Sequence, residues 1–342
     1  MGNNPFSLTF GKSPIEIIPR IVQMNLVKEM FEASTINQQI YMITGLRGTG
    51  KTVLLSELYS YFNEKKDWIT IELNAERDLL QSLAAKLYEV KGIRDAFIKA
   101  KIDLSAFGIG VSVEDAFRYN DIESAISRML DELKKKKKRL LITIDEVTNT
   151  KKMRIFASAF QIFVRQDYPI FLLMTGLYEN IHELQNEKSL TFLYRAPKLR
   201  LGLLDKDAVC EKYKNVFSLD DEKAMEMARL TNGYPFAFQV LGYLYWDEPD
   251  LTNIRGSYKA YLYELVYDKI WSELSKKDKL ICKGIANSED GRIKDIREKL
   301  GLTTNEFNPY RDRLIKKEIV TGDDYGYVTF VLPLFDEYVK SR

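Results

Sequence analysis

Hydrophobic and polar positions change their spacing along the chain, and the first change comes near residue 201. Up to that point, short apolar runs alternate with longer stretches of helical spacing. Near-continuous apolar strands separated by helices are typical of a parallel sheet that helices cover on both faces. We therefore predict an α/β domain over residues 1–202, built on a five-stranded parallel sheet flanked by helices. The predicted strands are IYMIT (40–44), WITIEL (68–73), LLITID (140–145), IFLLMT (170–175) and the weaker KLRL (198–201).

The second region, residues 203–272, has helical spacing and is expected to form a small all-α lid domain. Gly233 follows one predicted helix and Pro235 opens the next, and these residue types are common at those positions. The predicted helices are DKDAVCEKYKNVF (205–217), DDEKAMEMARL (220–230) and FAFQVLGYLYW (236–246).

The third region, residues 273–342, changes character again. Three predicted helices precede IVTGDDYGYVTF, which reads as two strands around a turn, and this is the order of a winged helix. The third helix would carry a set of side chains toward a DNA groove. The acidic residues Glu306, Asp312, Asp323 and Asp324 argue against DNA, and a packing module is the open alternative. The side chains of that set are Asn305, Asn308, Tyr310, Arg311 and Arg313.

The local structure of two further segments can be predicted from their sequences. The stretch KIDLSAFGIGVSVED (101–115) alternates apolar residues around a glycine turn and predicts an inserted hairpin. The cationic run KKKKKR (134–139) is expected to be a solvated helix end or loop rather than a nucleic-acid patch.

The segment GLRGTGKT, residues 45–52, fits the pattern G-x-x-x-x-G-K-[ST] at every fixed position. A β-prone run precedes it and a helical pattern follows, which is the context that the motif requires. Its glycines let backbone N–H groups turn toward phosphates, and the following helix adds its positive N-terminal end. Lys51 can reach the β- and γ-phosphates, and the Thr52 hydroxyl can bind Mg²⁺. The motif predicts a site for the phosphates of a nucleotide together with Mg²⁺.

Asp145 and Glu146 follow the third predicted strand. A carboxylate at the tip of a buried strand beside a phosphate loop can hold Mg²⁺, and a second one can activate water. Thr175, at the end of the fourth strand, can sense the γ-phosphate or the attacking water. The alternative is that two charges and a threonine merely end their strands. The adjacent Asp-Glu pair favours hydrolysis over phosphoryl transfer to a small metabolite.

Composition narrows the classes of function. Cys210, Cys282 and the single histidine, His182, lie far apart, so neither a zinc site nor a Ser-His or Cys-His catalytic design is expected. The formal net charge of +2 does not by itself indicate a nucleic-acid partner. Neither a leader peptide nor a membrane-spanning run stands out, so we expect a cytoplasmic protein without a membrane partner.

In this order, these motifs resemble the prokaryotic, archaeal-type ATPases of the AAA+/STAND group, which are related to archaeal replication-initiator ATPases. The resemblance extends over nearly the whole chain, from NPFSLTFGKSP to YVTFVLPLFDEYVKSR. It implies a P-loop NTPase sheet followed by a helical lid and a C-terminal winged helix. It also implies that Arg195 reaches a γ-phosphate, often on a neighbouring subunit, and that Pro235 belongs to the lid signature.

The resemblance also implies that the nucleotide is ATP or ADP, and it implies a set of nucleotide contacts. Ile18, Pro19 and Arg20 would contact adenine, although Pro19 stands where relatives often have glycine. The remaining contacts are expected from Gly45, Arg47, Gly48, Thr49, Gly50, Lys51, Thr52 and Val53, with Thr52 and Asp145 as metal ligands.

The lid segment NGYPFAFQVLG departs from the initiators, whose corresponding helix usually offers a sensor arginine. We therefore predict a nucleotide-controlled switch that hydrolyses ATP slowly and has a winged-helix output module. A DNA-binding initiator or loader and a nucleotide-stabilised protein scaffold with little turnover are the alternatives. A small-molecule kinase fits less well, because Arg195 and a winged helix have no evident role in one. Partners to consider are the nucleotide, double-stranded DNA, a second copy of the chain and another protein.

Overall fold

The computed structural model describes residues 3–9, 14–110, 117–118 and 121–342. The chain divides into two compact units, which we call the sheet unit and the helical unit. The sheet unit contains Arg20–Thr44 and Lys51–Arg200. The helical unit contains Met1–Pro19, Gly45–Gly50 and Leu201–Arg342. The domain boundaries at residues 203 and 273 remain predictions.

The sheet unit alternates strands and helices along the chain. Its strands are β1 (Ile40–Thr44), β2 (Trp68–Asn74), β3 (Ile102–Asp103), β4 (Phe117–Arg118), β5 (Arg139–Asp145), β6 (Ile170–Gly176) and β7 (Lys198–Arg200). Its α-helices are α1 (Ile21–Glu32), α2 (Lys51–Asn63), α3 (Leu79–Tyr88), α4 (Arg94–Lys99), α5 (Ile122–Lys135), α6 (Lys151–Arg165) and α7 (Tyr178–Gln185). Short 3₁₀ segments span Ser105–Phe107 and Lys188–Arg195.

Five of these strands form one parallel sheet in the order β2-β5-β6-β1-β7. All residues of β1 and β6 are buried, which explains why these strands are continuous apolar runs. The register places Thr44 beside Gly176 and Asn74 beside Asp145, so the carboxyl ends of four strands lie at one edge. The predicted five-stranded parallel sheet flanked by helices is confirmed.

Side chains at the helix starts and ends explain where several helices of this unit are placed. Asp78, Asp121 and Thr150 each accept a hydrogen bond from a backbone N–H of the first turn of α3, α5 and α6. Helix α5 buries Leu133 and ends in lysines, which interact favourably with the negative end of the helix dipole. Residues 134–137 are exposed, as the sequence predicted for this cationic run.

The inserted segment is only partly described. Its first arm is a strand at Ile102–Asp103 alone, and β3 pairs in parallel with β4, which lies beyond the predicted hairpin. The chain leaves β3 through the 3₁₀ segment, and Gly108 and Gly110 take left-handed conformations, so β3 does not turn back directly. Residues 111–115, the predicted return arm, lie outside the described part of the chain, so the hairpin itself remains a prediction.

The helical unit is largely α-helical and has its own apolar core. Its helices are α8 (Lys206–Phe217), α9 (Asp221–Thr231), α10 (Pro235–Asp247), α11 (Leu251–Leu262), α12 (Asp268–Ser272), α13 (Lys276–Ala286), α14 (Ile293–Lys299), α15 (Thr304–Lys316) and α16 (Phe335–Lys340). A π-helical turn, Tyr263–Tyr267, joins α11 to α12. Leu46 and Phe6 belong to this core, although they lie far from the helices in sequence.

Helices α13 to α15 precede an antiparallel pair, β8 (Val320–Thr321) and β9 (Thr329–Phe330). This is the predicted order of three helices followed by two strands. Helix α15 runs through Pro309, although proline lacks the N–H that a helix interior uses. Its start is supported by Glu306, whose carboxylate accepts a hydrogen bond from the Thr303 N–H at 2.9 Å. Within the described residues, none of the helices is long and apolar enough to cross a bilayer.

Candidate nucleotide-binding site

A cluster of hydrogen-bonded polar groups lies in the sheet unit. The Asp145 carboxylate accepts a hydrogen bond from the Thr52 hydroxyl at 2.8 Å through Oδ2. Its other oxygen, Oδ1, accepts one from the Thr175 hydroxyl. Both predicted metal ligands, Thr52 and Asp145, are therefore in contact, and the predicted sensor Thr175 contacts the same carboxylate.

The sheet topology brings these residues together. Asp145 ends β5 and Thr175 is the next-to-last residue of β6, its neighbour in the sheet. Thr52 is in the first turn of α2. Ligands of parallel α/β sheets bind at the carboxyl ends of the strands, where the cluster lies. Thr175 is fully buried and Asp145 is half-buried, so the sheet fixes the one and leaves the other accessible.

Glu146 has an unusual backbone conformation beside this cluster. Its φ is 53°, in the left-handed region, which costs a residue other than glycine about 1 kcal/mol or more. Its N–H is shared between Asp145 Oδ1 at 3.1 Å and Thr175 Oγ1 at 3.0 Å, which holds the backbone in place. The Glu146 side chain is exposed to solvent. A strained residue held firmly at a strand end is a candidate for a functional role.

Lys51 opens α2, and Val53 lies in the same first turn. Both side chains are half-buried. The first N–H groups of a helix have no partner within the helix, and its N-terminal end attracts anions. The predicted lysine, threonine and helix end are therefore adjacent at the start of one helix.

The loop Gly45–Gly50 belongs to the helical unit. Gly48 and Gly50 have φ values of 74° and 88°, which side-chain-bearing residues rarely adopt. The buried Thr49 closes a turn, because its hydroxyl donates to the Leu46 carbonyl at 2.8 Å. The predicted glycines are thus used for a tight backbone turn.

The start of α10 contacts this loop. The Tyr234 hydroxyl donates to the Arg47 carbonyl at 2.5 Å, and the Phe236 N–H donates to the Gly48 carbonyl at 3.1 Å. Burial raises the pKa of Tyr234 well above its ordinary value, so its hydroxyl remains a donor. Pro235 is the first residue of α10 and lies between these two residues. A Cβ on Gly48 would lie 2.8 Å from the Phe236 Cβ, so only glycine fits there.

The structure does not gather all predicted site residues. Ile18 packs on the core of the helical unit, and Pro19 is exposed. Arg20 occupies the N-cap position of α1 in the sheet unit, and burial lowers its pKa. Arg195 is exposed at the end of the segment Lys188–Arg195 and forms neither a hydrogen bond nor an ion pair with any described residue. The adenine contacts therefore remain predictions.

Two acidic residues contact the loop, and the sequence did not predict either. Glu273 forms an ion pair with Arg47 at 2.9 Å, and Glu318 Oε2 accepts a hydrogen bond from the Leu46 N–H at 3.3 Å. They lie 226 and 272 residues from their partners, so periodicity and local motifs give no signal for either contact.

The cluster fits Mg²⁺ better than a metal that is held by protein ligands alone. Mg²⁺ prefers oxygen ligands and usually binds through one or two protein groups together with substrate phosphates and water. Thr52 and Asp145 supply two adjacent oxygen groups of this kind. Among the described residues, no group of three or more His, Cys, Asp or Glu is placed to hold a metal.

Solved structures have the same fold. The chain is similar to the Walker-type ATPase of Pyrococcus abyssi, with 16% identity, a TM-score of 0.66, and 95% of this chain and 96% of that chain covered. It is also similar to the Orc2 protein of Aeropyrum pernix in its ADPNP–ADP complexes, with 13% identity, a TM-score of 0.57, and 97% and 96% covered. The shared fold and the family match given below confirm the predicted resemblance to archaeal-type P-loop ATPases.

The N-terminal and C-terminal parts of the chain match two different family models. None of the curated protein sequences matches the chain. Residues 264–339 match the model of a domain of unknown function. Residues 19–189 match the model of an ATPase domain that occurs predominantly in Archaea. Since that match extends over half of the 342 residues, the chain belongs to this family of predominantly archaeal ATPase domains.

Proposed function

We propose that this AAA+-type ATPase is a nucleotide-controlled switch that binds ATP with Mg²⁺ and hydrolyses it slowly. The observation that carries the proposal is the hydrogen-bonded cluster of Thr52, Asp145 and Thr175 with the strained Glu146 beside it. The cluster lies at the carboxyl end of a parallel sheet, and its Thr52 comes just after the phosphate-loop glycines in sequence. This arrangement supports hydrolysis of a nucleotide phosphate, with water as the attacking group.

The residues divide the chemistry among them. Lys51 and the N-terminal end of α2 would bind the β- and γ-phosphates. Thr52 and Asp145 would hold Mg²⁺, which when bound offsets the negative charge on the phosphate oxygens. Thr175 orients Asp145 through its hydroxyl and the backbone of Glu146 through its oxygen.

Glu146 is the proposed general base. Its exposed carboxylate would take a proton from water as the water oxygen attacks the γ-phosphorus. The bond from the γ-phosphorus to the bridging oxygen breaks, and that oxygen leaves with ADP, so the products are ADP and phosphate. The left-handed backbone of Glu146 fixes where the side chain leaves the strand.

The contacts at α10 support a switch. A nucleotide can drive a conformational change only through different affinities for two states. The loop carbonyls of Arg47 and Gly48 accept hydrogen bonds from Tyr234 and Phe236, so a change in the loop would alter the start of α10. The Aeropyrum pernix protein binds ADPNP and ADP, which agrees with a nucleotide-responsive fold.

Arg195 favours a second candidate, a self-assembling ATPase. Its guanidinium is exposed and has no ion-pair partner in the described part of the chain. The adjacent Tyr194 is 73% exposed. An arginine placed in this way can act on a nucleotide bound by a second copy of the chain.

DNA binding through α15 has less support among the predicted residues. Arg313 donates to the buried Asp278 at 2.6 Å and 2.9 Å, which joins α15 to α13. Arg311 pairs with Asp312 at 3.4 Å on the same helix. An arginine that pairs with a carboxylate of its own chain is less available to contact a DNA phosphate, and both Arg311 and Arg313 form such pairs.

One experiment tests these proposals together. Steady-state ATP hydrolysis is measured against protein concentration, with and without duplex DNA, for the wild type, Glu146→Gln and Arg195→Ala. A switch predicts a slow rate per subunit that neither concentration nor DNA changes. Assembly predicts a rate that rises with concentration in the wild type and stays flat in Arg195→Ala. A DNA-dependent enzyme predicts stimulation that weakens as the salt concentration rises. Hydrolysis that persists in Glu146→Gln would contradict the proposed general base.

A further inference from the structure

The loop Gly45–Gly50 is held at four points by distant parts of the helical unit. Two donors, Tyr234 and the Phe236 N–H, bind loop carbonyls, as described above. Two carboxylates bind loop donors: Glu318 accepts from the Leu46 N–H, and Glu273 pairs with the Arg47 guanidinium. We call Glu273 and Glu318 the acidic clamp.

The acidic clamp binds the same donor and cationic groups with which a phosphate loop binds phosphate. Such a loop binds anions because its N–H groups and cationic side chains are available to them. A carboxylate oxygen on a loop N–H is an anionic acceptor, as a phosphate oxygen is. Glu273 also offsets the charge of Arg47, the one cationic residue in the sequence of Gly45–Gly50.

Local folding does not require a glutamate side chain at position 318. Glu318 follows the C-cap Lys317 of α15, and its N–H donates to the Ile315 carbonyl at 2.9 Å. The Ile319 N–H donates to the Leu314 carbonyl at 3.0 Å, which completes a Schellman motif. Glycine usually occupies this position, because the backbone is left-handed there, and the φ of Glu318 is 60°.

Arg47 shows that the clamped arrangement is not fully satisfied. Its Nε is buried and has no hydrogen-bond partner among the described residues. The pair with Glu273 is partly solvated, since the two side chains are 31% and 35% exposed. Glu273 also pairs with Lys269 at 3.4 Å, so it has a second cation nearby when it leaves Arg47. A partly exposed pair with an alternative partner can separate at low cost.

Resting on the proposed function, we propose that Glu273 and Glu318 lower the affinity of the phosphate loop for nucleotides. A bound triphosphate and the two carboxylates are all anionic, so binding is favoured when the carboxylates leave the loop. Because coupling between two events is reciprocal, nucleotide binding would then release the ends of α12 and α15 from the loop. The acidic clamp thereby connects the state of the nucleotide to the C-terminal part of the chain.

The first test is the affinity for ATP and ADP, measured by calorimetry with Mg²⁺ on the full chain. Glu318→Gln and Glu273→Gln keep the size of each side chain and remove its charge. We expect each variant to bind ATP about threefold to fivefold more tightly than the wild type, and the double variant about tenfold. The gain should be smaller for ADP, which carries less negative charge, and should shrink at high salt.

Two further variants separate the electrostatic effect from loss of structure. Glu337→Gln is the matched control, because Glu337 pairs with Lys259 in the same unit and forms neither a hydrogen bond nor an ion pair with the loop Gly45–Gly50. It should leave the ATP affinity unchanged. Glu318→Gly removes the charge and suits the left-handed backbone, so it should bind ATP as tightly as Glu318→Gln without a loss in Tm.

The outcomes distinguish this inference from the proposed function. If the wild type binds ATP and Lys51→Ala does not, the nucleotide site is present. Unchanged or weaker ATP binding in both glutamine variants would then overturn the acidic clamp alone and assign the two glutamates to supporting the loop. If neither the wild type nor any of the variants binds ATP, both the proposed function and the inference fail. Binding by Glu318→Gln in the absence of binding by the wild type supports the clamp strongly.

Discussion

The two compact units hold their functional candidates in physically different ways. In the sheet unit, Thr52, Asp145 and Thr175 are fixed by strand ends and a helix start, and their polar atoms bind one another. In the helical unit, the loop is held by distant side chains, with a buried Arg47 Nε that lacks a described partner and a strained Glu318. Catalysis requires one fixed geometry, whereas a switch requires two states of similar free energy.

Each unit contains a glutamate with a strained backbone, and the two are held differently. Glu146 and Glu318 both have left-handed backbones, with φ values of 53° and 60°. Around Glu146, the strain is held by hydrogen bonds to its own N–H. Around Glu318, the side chain itself contacts a loop N–H. Under the proposals above, the same backbone strain would serve hydrolysis at Glu146 and control of the loop at Glu318.

The largest expected effect comes from Glu146→Gln. Removing a general base lowers the hydrolysis rate by about 10²- to 10⁴-fold. ATP binding should remain, because Lys51 and Thr52 are unchanged. Single-turnover hydrolysis and a separate measurement of the ATP Kd check this expectation. A rate within threefold of the wild type would transfer the role of base to another group.

The glycines of the loop test how tightly the helical unit holds it. Gly48→Ala should lower the free energy of unfolding by about 2 kcal/mol or more, because it combines backbone strain with a clash against Phe236. Gly50→Ala is the matched variant, since a Cβ there has no neighbouring atom within 4 Å. It should cost only the backbone term, about 1 kcal/mol. Urea unfolding without nucleotide measures both, and equal losses would mean that Tyr234 and Phe236 yield to the methyl group.

Thr175 tests whether the geometry of the sheet unit is preorganised. Thr175→Val removes the hydroxyl that bonds Asp145 and accepts the Glu146 N–H, so kcat should fall about tenfold with a smaller change in KM. Thr175→Ser keeps the hydroxyl and should restore most of kcat. If valine and serine behave alike, the hydroxyl has no part in positioning the carboxylates.

The smallest effect concerns stability at the two strained glutamates. Glu146→Gly and Glu318→Gly should each raise the free energy of unfolding by about 0.5 kcal/mol, since relief of the left-handed strain exceeds the added entropy of the unfolded chain. Their functional effects should differ, with lost hydrolysis for the first and tighter ATP binding for the second. Thermal unfolding followed by circular dichroism measures the stability of both variants. A loss of stability in either one would show that the side chain supports the fold more than its backbone strains it.

Local patterns predicted the sheet unit well for a physical reason. A buried parallel strand must be apolar along its whole length, so its sequence is visible without knowing its neighbours. The phosphate-loop motif is contiguous, and Asp145 and Thr175 lie at strand ends, where parallel topology brings them together. The inserted segment was harder, because alternation predicts a strand at β3 but not its parallel partner β4, which lies beyond the predicted hairpin.

Sequence patterns alone specify the five strands, the glycine loop, the helix start at Lys51 and the carboxylates that follow β5. Each of these depends on neighbours along the chain or on the period of a strand or helix. The contacts of Glu273 and Glu318 with the loop, by contrast, become visible only in the folded chain. Contacts between residues more than 200 positions apart arise from the packing of whole elements, and neither residue carries a local pattern that specifies its partner.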